Sequence, residues 1–413
     1  MKQKIIQAID AHREDIIRCG EDILRNPELG FKEFKTAERI RQEFEKLGIP
    51  YRAELAVTGI KGTIGDPHAK YNICILGELD AVKCYDHPFC DPETGAAHAC
   101  GHNAQLAAMV GAAYGLVKSG VMEQLSAKIT FFAVPAEELI ELDFRERLVA
   151  DGKIGCLAGK PELIRLGEFD DIDMAMMIHA HALTPAPNVY LNGTSLGFDT
   201  KIITFEGKAA HGSEPFNGIN ALNAAMLALM GIHANRETFR EEDRIRVQPI
   251  VTNGGDLANV IPDRAVIETY VRGANTAAIK AACEKVDLAA QAGAMAVGAT
   301  CTIKNMTGYK PMLQSKALSA VFEENAKLFV PESGIYHNVD MTGSTDLGDL
   351  SELMPVIQPT MGGFCGPLHG KDFAAADLET VYITAAKILA CTAFDLAKDD
   401  CKLAKEVKES FLP

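Results

Sequence analysis

The chain has 413 residues, of which 47% are hydrophobic and 23% are charged, so it can bury at least one large core, and its length favours two or three domains. The formal net charge of −15 argues against a general affinity for nucleic acid or anionic membranes, although one local arginine could still bind an anionic substrate. The cysteines form no CxxC pair, no apolar run approaches the roughly 18 residues needed to span a bilayer, and the N-terminus lacks signal-peptide features, so we expect a cytoplasmic protein with reduced thiols.

The first part of the chain alternates between helices and apolar strands. Apolar spacing predicts helices over residues 2–25 and 34–47, the second ending at Gly48. The elements predicted next are a strand over 71–79, an Ala-rich helix over 102–118, and strands over 127–134 and 173–178. This alternation predicts an α/β domain with a largely parallel sheet that is covered on both faces.

The middle of the chain follows a different order. The predicted elements there are strand 199–207, helix 218–236, strands 244–252 and 264–272, helix 275–297 and strand 300–306. This βαββαβ order is typical of a ferredoxin-like sandwich. The α/β pattern then resumes with helix 316–329, strand 353–358, a Gly-rich loop over 362–370 and helix 377–397. We therefore predict a discontinuous α/β domain, residues 1–197 and 309–413, with a second domain inserted at 198–308.

Residues that can bind a metal follow each strand of the predicted parallel sheet. They are Asp80 after the first strand, Glu137 and Glu138 after the second, and His179 and His181 after the third. The segment His98–Asn103 lies just before the Ala-rich helix, and His369 lies in the late Gly-rich loop. Because ligands bind at the carboxyl ends of strands in open α/β sheets, we expect these residues to form one site.

The residue types within this set favour a hydrolytic two-metal site. Cys100 and His102, with Gly101 allowing a tight turn, can ligate a borderline divalent metal, whereas His98 is a weaker candidate with a supporting or surface role. Of the adjacent Glu137 and Glu138, one carboxylate could bind metal while the other acts as general base, because a metal lowers the pKa of its bound water and a nearby carboxylate takes the proton.

Three further positions complete the predicted site. Only one of His179 and His181 need be a ligand, because alternate residues of a strand share a face. Asp80 suits an orienting role through the second nitrogen of a ligand imidazole. If the inserted domain closes over the site, its His211 and Asn259 could donate to an oxyanion and its Arg272 could clamp a carboxylate.

Seven motifs in a fixed order carry a family resemblance. They are HACGHN (98–103), PAEE (135–138), IHAH (178–181), GKAAHGSEP (207–215), NGGDLANVIPD (253–263), TGSTD (342–346) and PLHGKDF (367–373). Over nearly its whole length the chain resembles the aminoacylase/carboxypeptidase G superfamily of metalloamidohydrolases, within the group of hippurate, auxin-conjugate and aminobenzoyl-glutamate hydrolases.

The resemblance implies specific roles. The metal ligands would be Cys100, His102, Glu138, His179 and His369. Cys100 would bridge two divalent ions, with Mn or Zn expected before Co or Ni. Glu137 would be the general base, and His211 and Asn259 would stabilise the oxyanion.

The same resemblance extends to partners and substrates. Arg272 would hold the carboxylate of a small amide substrate, such as an N-acyl amino acid, aminobenzoyl-glutamate or a dipeptide. The inserted domain would form a homodimer as well as a lid, and His211 would act on the partner's site.

The chain departs from the family pattern at four places. Asn103 stands where many relatives have Asp, Glu78 replaces an Asp, and Thr345 replaces a Glu. A longer, charged segment, residues 139–169, replaces the usual run of glycines after PAEE and leaves the shape of the pocket open.

Two other functions remain as alternatives. In the first, Cys100 is a nucleophile and His102 its base, which leaves Glu138, His179 and His369 unexplained. In the second, the chain is a non-catalytic metal-binding or regulatory subunit of a paired amidohydrolase.

Overall fold

The computed structural model describes residues 1–184, 186–341 and 343–411. The chain divides into two compact units, each considered by itself below. The first unit comprises Met1–Thr194, Leu313–Asp340 and Asp349–Pro413, and the second comprises Ser195–Met312 and Met341–Gly348.

The helices and strands are numbered here in chain order. The α-helices are α1 (Lys2–Ala11), α2 (Arg13–Leu24), α3 (Phe34–Leu47), α4 (His102–Lys118), α5 (Leu142–Ala150), α6 (Gly159–Arg165), α7 (Ala221–Ala234), α8 (Thr276–Val297), α9 (Lys316–Ala326), α10 (Leu347–Ser351), α11 (Ala385–Ala397) and α12 (Lys402–Glu409). The strands are β1 (Tyr51–Leu55), β2 (Gly59–Ile64), β3 (Asn72–Glu78), β4 (Val82–Lys83), β5 (Ala96–Ala97), β6 (Lys128–Val134), β7 (Met174–Met176), β8 (His179–Ala180), β9 (Val189–Leu191), β10 (Gly197–Glu206), β11 (Arg246–Val247), β12 (Ile250–Asn253), β13 (Arg264–Gly273), β14 (Thr300–Thr307), β15 (Ile335–His337), β16 (Val356–Ile357), β17 (Thr360–Met361), β18 (Phe364–Cys365) and β19 (Ala374–Ala375).

The main sheet of the first unit has six strands in the order β1-β2-β6-β3-β7-β16. The four strands from β6 to β16 are parallel, while β1 and β2 form an antiparallel edge. The predicted parallel sheet is thus present, with an antiparallel edge that the alternation did not indicate. A smaller four-stranded sheet, β15-β9-β17-β8, was also not predicted.

Helix α4 forms the centre of the first unit because small residues let it pack closely. Its side chains are buried from His102 to Leu116. A Cβ at Gly111 would lie 2.6 Å from the Cβ of Ala386 in α11, so this crossing requires glycine. Among the described residues, one helical segment, Glu379–Ala397, is long and apolar enough to cross a membrane, but its apolar residues are buried inside the protein. It is therefore a core element of the first unit.

Two predicted elements of the first unit differ in extent. The helix expected over 2–25 is two helices, because His12 leaves the helical region at φ −110 and ψ 16. The strand expected over 353–358 covers only Val356–Ile357.

The second unit is an antiparallel sheet with two helices in the predicted βαββαβ order. Strand β10 lies between β13 and β14, and β11 and β12 both pair with β13. The strand expected over 244–252 is split into β11 and β12 around Pro249, whose missing N–H interrupts a strand. Asn220 and Asn275 directly precede helices α7 and α8, and their side chains accept backbone N–H groups as N-caps.

The second unit extends beyond the predicted 198–308 at both ends and includes the segment Met341–Gly348, which the sequence placed in the first domain. Gly348 approaches Lys310 so closely that a Cβ would lie 1.9 Å from the Lys310 carbonyl oxygen. Leu196 N also donates to Gly343 O at 3.2 Å. These long-range contacts assign the segment to the second unit. Thr342, the first residue of the TGSTD motif, is outside the described residues.

Candidate metal centre

The predicted ligands converge because three parallel strands end at the same edge of the main sheet. Strand β3 pairs with both β6 and β7, and Glu78 is opposite Val134 at its end. Asp80 follows β3, the Glu137–Glu138 pair follows β6, and His179 begins β8 soon after β7. The order of the strands therefore brings acidic and imidazole side chains from distant parts of the chain to one place.

Cys100, His102 and His179 form a buried donor group whose ligand atoms all lie within 4.8 Å of one another. The Cys100 Sγ atom is 3.4 Å from His179 Nε2. Gly101 joins the first two residues with a φ of +86°, and a Cβ there would lie 2.9 Å from the Cβ of Ala180. Only glycine combines this conformation with this approach, so the turn that places Cys100 and His102 together depends on it.

Cys100 also belongs to a second donor group, with Glu138 and His369. His369 Nε2 is 3.1 Å from Glu138 Oε1. The backbone N–H of His369 donates to Ala99 O at 2.8 Å, which ties the late Gly-rich loop to the HACGHN segment. The five predicted ligands thus form two groups that share the cysteine, which is the arrangement that a bridging thiolate requires.

A third donor group contains Glu78, His102 and Glu137. Glu137 Oε2 is 4.0 Å from His102 Nε2, so the proposed base lies beside the donor groups. In the sequence Glu78 lies at the end of the first predicted strand and replaces an Asp, but it was assigned no role among the donors. The signal was its position as the last residue of a buried strand, two residues before Asp80.

Hydrogen bonds at Nδ1 orient the rings of the two buried histidines, His102 and His179. His102 Nδ1 is 2.8 Å from Asp80 O, and His179 Nδ1 is 3.0 Å from Ala180 O. Since each Nδ1 faces a carbonyl oxygen, it carries the proton, and each Nε2 is left to act as a metal ligand. Asp80 also accepts the backbone N–H of Glu138 through Oδ2 at 2.9 Å, which links the ends of β3 and β6.

The residues fit divalent metal ions. Within the described part of the chain, the buried atoms His102 Nε2 and Asp80 Oδ1 lack a hydrogen-bond partner, although His102 Nε2 is 3.1 Å from Glu78 Oε2. A buried imidazole nitrogen that faces carboxylates and a thiol without a hydrogen bond is a typical metal ligand. The mixture of sulfur, imidazole and carboxylate donors suits Zn, Mn, Co or Ni.

Burial and nearby charges shift the pKa values of several residues around the centre. Burial, assisted by the Glu138 carboxylate, raises the pKa of the Cys100 thiol far above its ordinary value. Burial lowers the pKa of His179. Burial also opposes protonation of His102, but Glu78, Cys100 and Asp80 together outweigh it and raise the pKa of His102. Burial also opposes ionisation of Glu78, but Lys160 and His102 outweigh it and bring its pKa to about 2. A protonated, buried thiol is a poor nucleophile, which counts against the cysteine-hydrolase alternative.

Two candidate histidines are not part of the donor groups. His181 stacks on Tyr190 with ring centroids 3.7 Å apart, and its Nδ1 is 3.0 Å from Thr360 Oγ1. His98 is buried beside a cavity of about 410 Å³, and neither of its ring nitrogens has a hydrogen-bond partner among the described residues. Burial lowers the pKa of His98 to about 3, so its ring is neutral.

The segment after Glu138 supplies two buried cations that sequence reasoning missed. Arg145 of α5 donates to the carbonyl oxygens of Ala136, Glu138 and Leu157. Lys160 of α6 is fully buried, and its Nζ is 2.6 Å from Glu78 Oε1. The segment therefore supports the residues around the metal centre. In the sequence the charged residues of this segment look like protein surface, so nothing there predicts that Arg145 and Lys160 are buried beside the metal centre.

The predicted residues of the second unit fall into two places. His211 and Val260 form a β-bridge, and Gly212 N donates to Asn259 O at 2.7 Å, so the GKAAHGSEP and NGGDLANVIPD motifs are joined. His211 and Asn259 are both exposed. Arg272 is elsewhere in this unit, and its Nη1 donates to Ser344 Oγ at 2.9 Å.

Comparisons with known proteins agree with this geometry. Residues 195–295 match the model of the peptidase dimerisation domain of the M20 family. The chain is 28% identical to a Mus musculus protein named Xaa-Arg dipeptidase, over 96% of this chain and 89% of that protein. It is 26% identical to IAA-amino acid hydrolase ILR1-like 4 of Arabidopsis thaliana, over 81% of this chain and 73% of that protein.

A solved structure shows the same fold. The chain superimposes on a dinuclear metal binding peptidase of the M20 family from Bacillus subtilis with a TM-score of 0.73 and 22% identity, over 94% of this chain and 99% of that one. These matches confirm the resemblance seen in the motifs. Residues 195–295 of the chain therefore match the M20 peptidase dimerisation domain, and over most of its length the chain is similar to metal-dependent amide hydrolases of the M20 family and to the auxin-conjugate hydrolases.

Proposed function

We propose that this enzyme hydrolyses the amide bond of small substrates that carry a free carboxylate, namely N-acyl amino acids, aminobenzoyl-glutamate or dipeptides. The observation that carries the proposal is the pair of donor groups that share Cys100, with Glu137 beside them. The relatives named as an Xaa-Arg dipeptidase and an IAA-amino acid hydrolase support an amino-acid amide as the substrate class.

Two divalent ions per subunit would be held by the five predicted ligands, with Mn or Zn expected first. Cys100, His102 and His179 would hold one ion, and Cys100, Glu138 and His369 the other. When bound, the ions supply Lewis acidity, which polarises the scissile carbonyl and lowers the pKa of water.

Glu137 is the residue we assign to proton transfer. Its carboxylate is buried next to the donor groups, at the end of β6. It would accept a proton from the attacking water at a carboxylate oxygen and deliver that proton to the nitrogen of the leaving amine. Glu138, the next residue, faces His369 instead, so the two neighbouring carboxylates divide the roles of base and ligand.

In the second unit, the hydrogen bonds of His211 suit an oxyanion donor. His211 Nδ1 accepts the backbone N–H of Ser213 at 3.1 Å and is 2.7 Å from Ser213 Oγ. In the neutral ring the proton is therefore on Nε2, which is available to donate. We propose that His211 and Asn259 act on the site of the partner subunit in a homodimer formed through the second unit, whose match to a dimerisation domain supports this.

Arg272 is the residue we assign to the substrate carboxylate. Its guanidinium lies 5.0 Å from the centre of the Phe198 ring and 5.2 Å from that of Tyr270, and these two ring contacts orient the guanidinium. Burial lowers its pKa but leaves an arginine fully charged at neutral pH. A half-buried, oriented guanidinium is well suited to bidentate binding of a carboxylate.

All eleven cysteines are unpaired, which supports the cytoplasm as the location of the enzyme.

The proposal is tested by comparing Glu137→Gln with Glu138→Gln. Both substitutions remove one negative charge from adjacent residues, but only Glu138 is assigned as a ligand. We expect Glu137→Gln to keep the metal content of the wild type and lose activity by a factor of about 10² to 10⁴, the usual contribution of a general base. Glu138→Gln should lose bound metal as well. Metal analysis of the purified proteins and a screen of N-acyl amino acids and dipeptides measure both.

The two alternative functions predict different outcomes. A regulatory subunit would keep every measurable function in Glu137→Gln. A cysteine hydrolase would stay active after exhaustive chelation and lose activity on thiol alkylation.

A further inference from the structure

A buried carboxylate beside the metal centre is held by two side chains from different helices. Glu78 is the last residue of β3, and its side chain is 1% exposed. Lys160 Nζ lies 2.6 Å from Glu78 Oε1, and Gln105 Nε2 donates to Glu78 Oε2 at 2.9 Å. Each carboxylate oxygen therefore has its own donor, so the orientation of the carboxylate is fixed.

This orientation directs the carboxylate at the metal centre. Glu78 Oε2 is 3.1 Å from His102 Nε2, the nitrogen that faces away from the carbonyl of Asp80. Two donors that share one ion at metal–ligand distances of about 2.0–2.2 Å lie roughly 3 Å apart. Glu78, His102 and Glu137 also form a donor group by distance.

The position of Lys160 is set by very close packing. A Cβ at Gly159 would lie 1.6 Å from Pro135 O, so the start of α6 tolerates only glycine there. Gly159 N donates to Ala136 O at 3.1 Å. The first turn of α6 is thus bound to the same loop that carries Glu137 and Glu138, and this contact delivers Lys160 to Glu78.

Stability alone does not account for the pair. Removing two charges from water costs several kcal/mol per ion, and replacing a buried ion pair with apolar residues is often neutral or stabilising. A buried ion pair is thus weak evidence for a purely stabilising role, and the direction of the Glu78 carboxylate toward a ligand histidine points to a role at the centre.

We propose that Glu78 is a further carboxylate of the metal centre, and that Lys160 and Gln105 are positioning residues that hold it toward His102. This inference rests on the proposed function. It assigns part of the segment after Glu138 to metal retention.

The test measures metal binding by chelator-stripped protein rather than activity. Mn²⁺ and Zn²⁺ are titrated separately by competition with a chromogenic chelator, and the bound ions are counted. We expect Glu78→Gln to weaken one of the two sites by about 10- to 100-fold, the range seen when groups that support a metal are removed. Lys160→Met should weaken the same site, and Lys160→Arg should recover part of the affinity.

A double variant and a matched control separate this role from a structural one. Glu78→Gln/Lys160→Met restores the charge balance and should fold at least as well as Lys160→Met, while its metal affinity stays low. Lys61→Met removes another buried lysine of the first unit, one that is paired with Asp171. Because Asp171 precedes β7 while the donor groups follow the strand ends, this substitution should leave both sites unchanged.

Wild-type affinity at both sites in Glu78→Gln or in the double variant would overturn the inference, even if stability falls. Failure of the wild-type protein itself to bind two ions would instead overturn the proposed function.

Discussion

Replacing Arg145 by methionine tests whether its hydrogen bonds hold the backbone around Glu137 and Glu138 in place. The guanidinium is buried, with 1% of the residue exposed, and donates to the carbonyl oxygens of Ala136, Glu138 and Leu157. Hydrogen bonds to a charged group contribute about 1.5–3 kcal/mol each. Methionine replaces the aliphatic part of the side chain but makes none of these bonds.

The structure limits the expected loss. Ala136 O also accepts Gly159 N, and Glu138 O also accepts Ile140 N, so two of the three carbonyls keep a backbone donor. The substitution also removes the cost of burying the guanidinium charge. We therefore expect the free energy of unfolding to fall by about 2–4 kcal/mol rather than by the full sum of three bonds.

The assay is urea unfolding of chelator-stripped protein, followed by far-UV circular dichroism, so that loss of metal does not contribute. Arg147→Met is the matched control, since Arg147 is exposed on the same helix, and its effect should stay within about 0.5 kcal/mol. Turnover should also fall in Arg145→Met, because the residues on both sides of Glu137 lose a partner. If Arg145→Met were as stable as Arg147→Met, the assignment of these bonds as a support of the centre would be wrong.

Three further predictions concern pH, subunit cooperation and substrate binding. Burial, and then the nearby Asp80, raise the pKa of Glu33 from 4.5 to about 7. The protonated Glu33 therefore stabilises the fold fully below pH 4.5, and this stabilisation is lost as the pH rises toward 7. Glu33→Gln should flatten the pH dependence of the free energy of unfolding, and an unchanged slope would contradict this prediction. An equal mixture of His211→Ala and Glu137→Gln chains, exchanged through unfolding and refolding, should recover about a quarter of wild-type activity. About half of the dimers are mixed, and each mixed dimer has one intact site of two. No recovery would exclude action of His211 on the partner's site. Arg272→Met should raise KM for carboxylate substrates by about 10- to 100-fold and have little effect on KM for the corresponding amides. Equal effects on both would show that Arg272 does not bind the substrate carboxylate.

The sequence by itself determined the α/β order, the inserted βαββαβ unit and five of the residues that lie in the donor groups. These follow from local patterns, because strand and helix periodicity depends on near neighbours and parallel strands present their carboxyl ends at one edge. That is why Cys100, His102 and Glu138 could be grouped before any distance was known. Pro249 also predicts a break in the strand expected over 244–252, but the apolar residues around it favoured one continuous strand.

Only the tertiary structure decided which of these groups face one another. His179 points to Cys100 while His181 stacks on Tyr190, a choice that the alternation of a short strand does not make. The partner of Glu78 is Lys160, 82 residues away, and the buried Arg145 lies in a segment that looks like charged surface. A buried charge is stabilised by whatever the fold brings beside it, and the chain between the two partners carries no pattern that records the pairing.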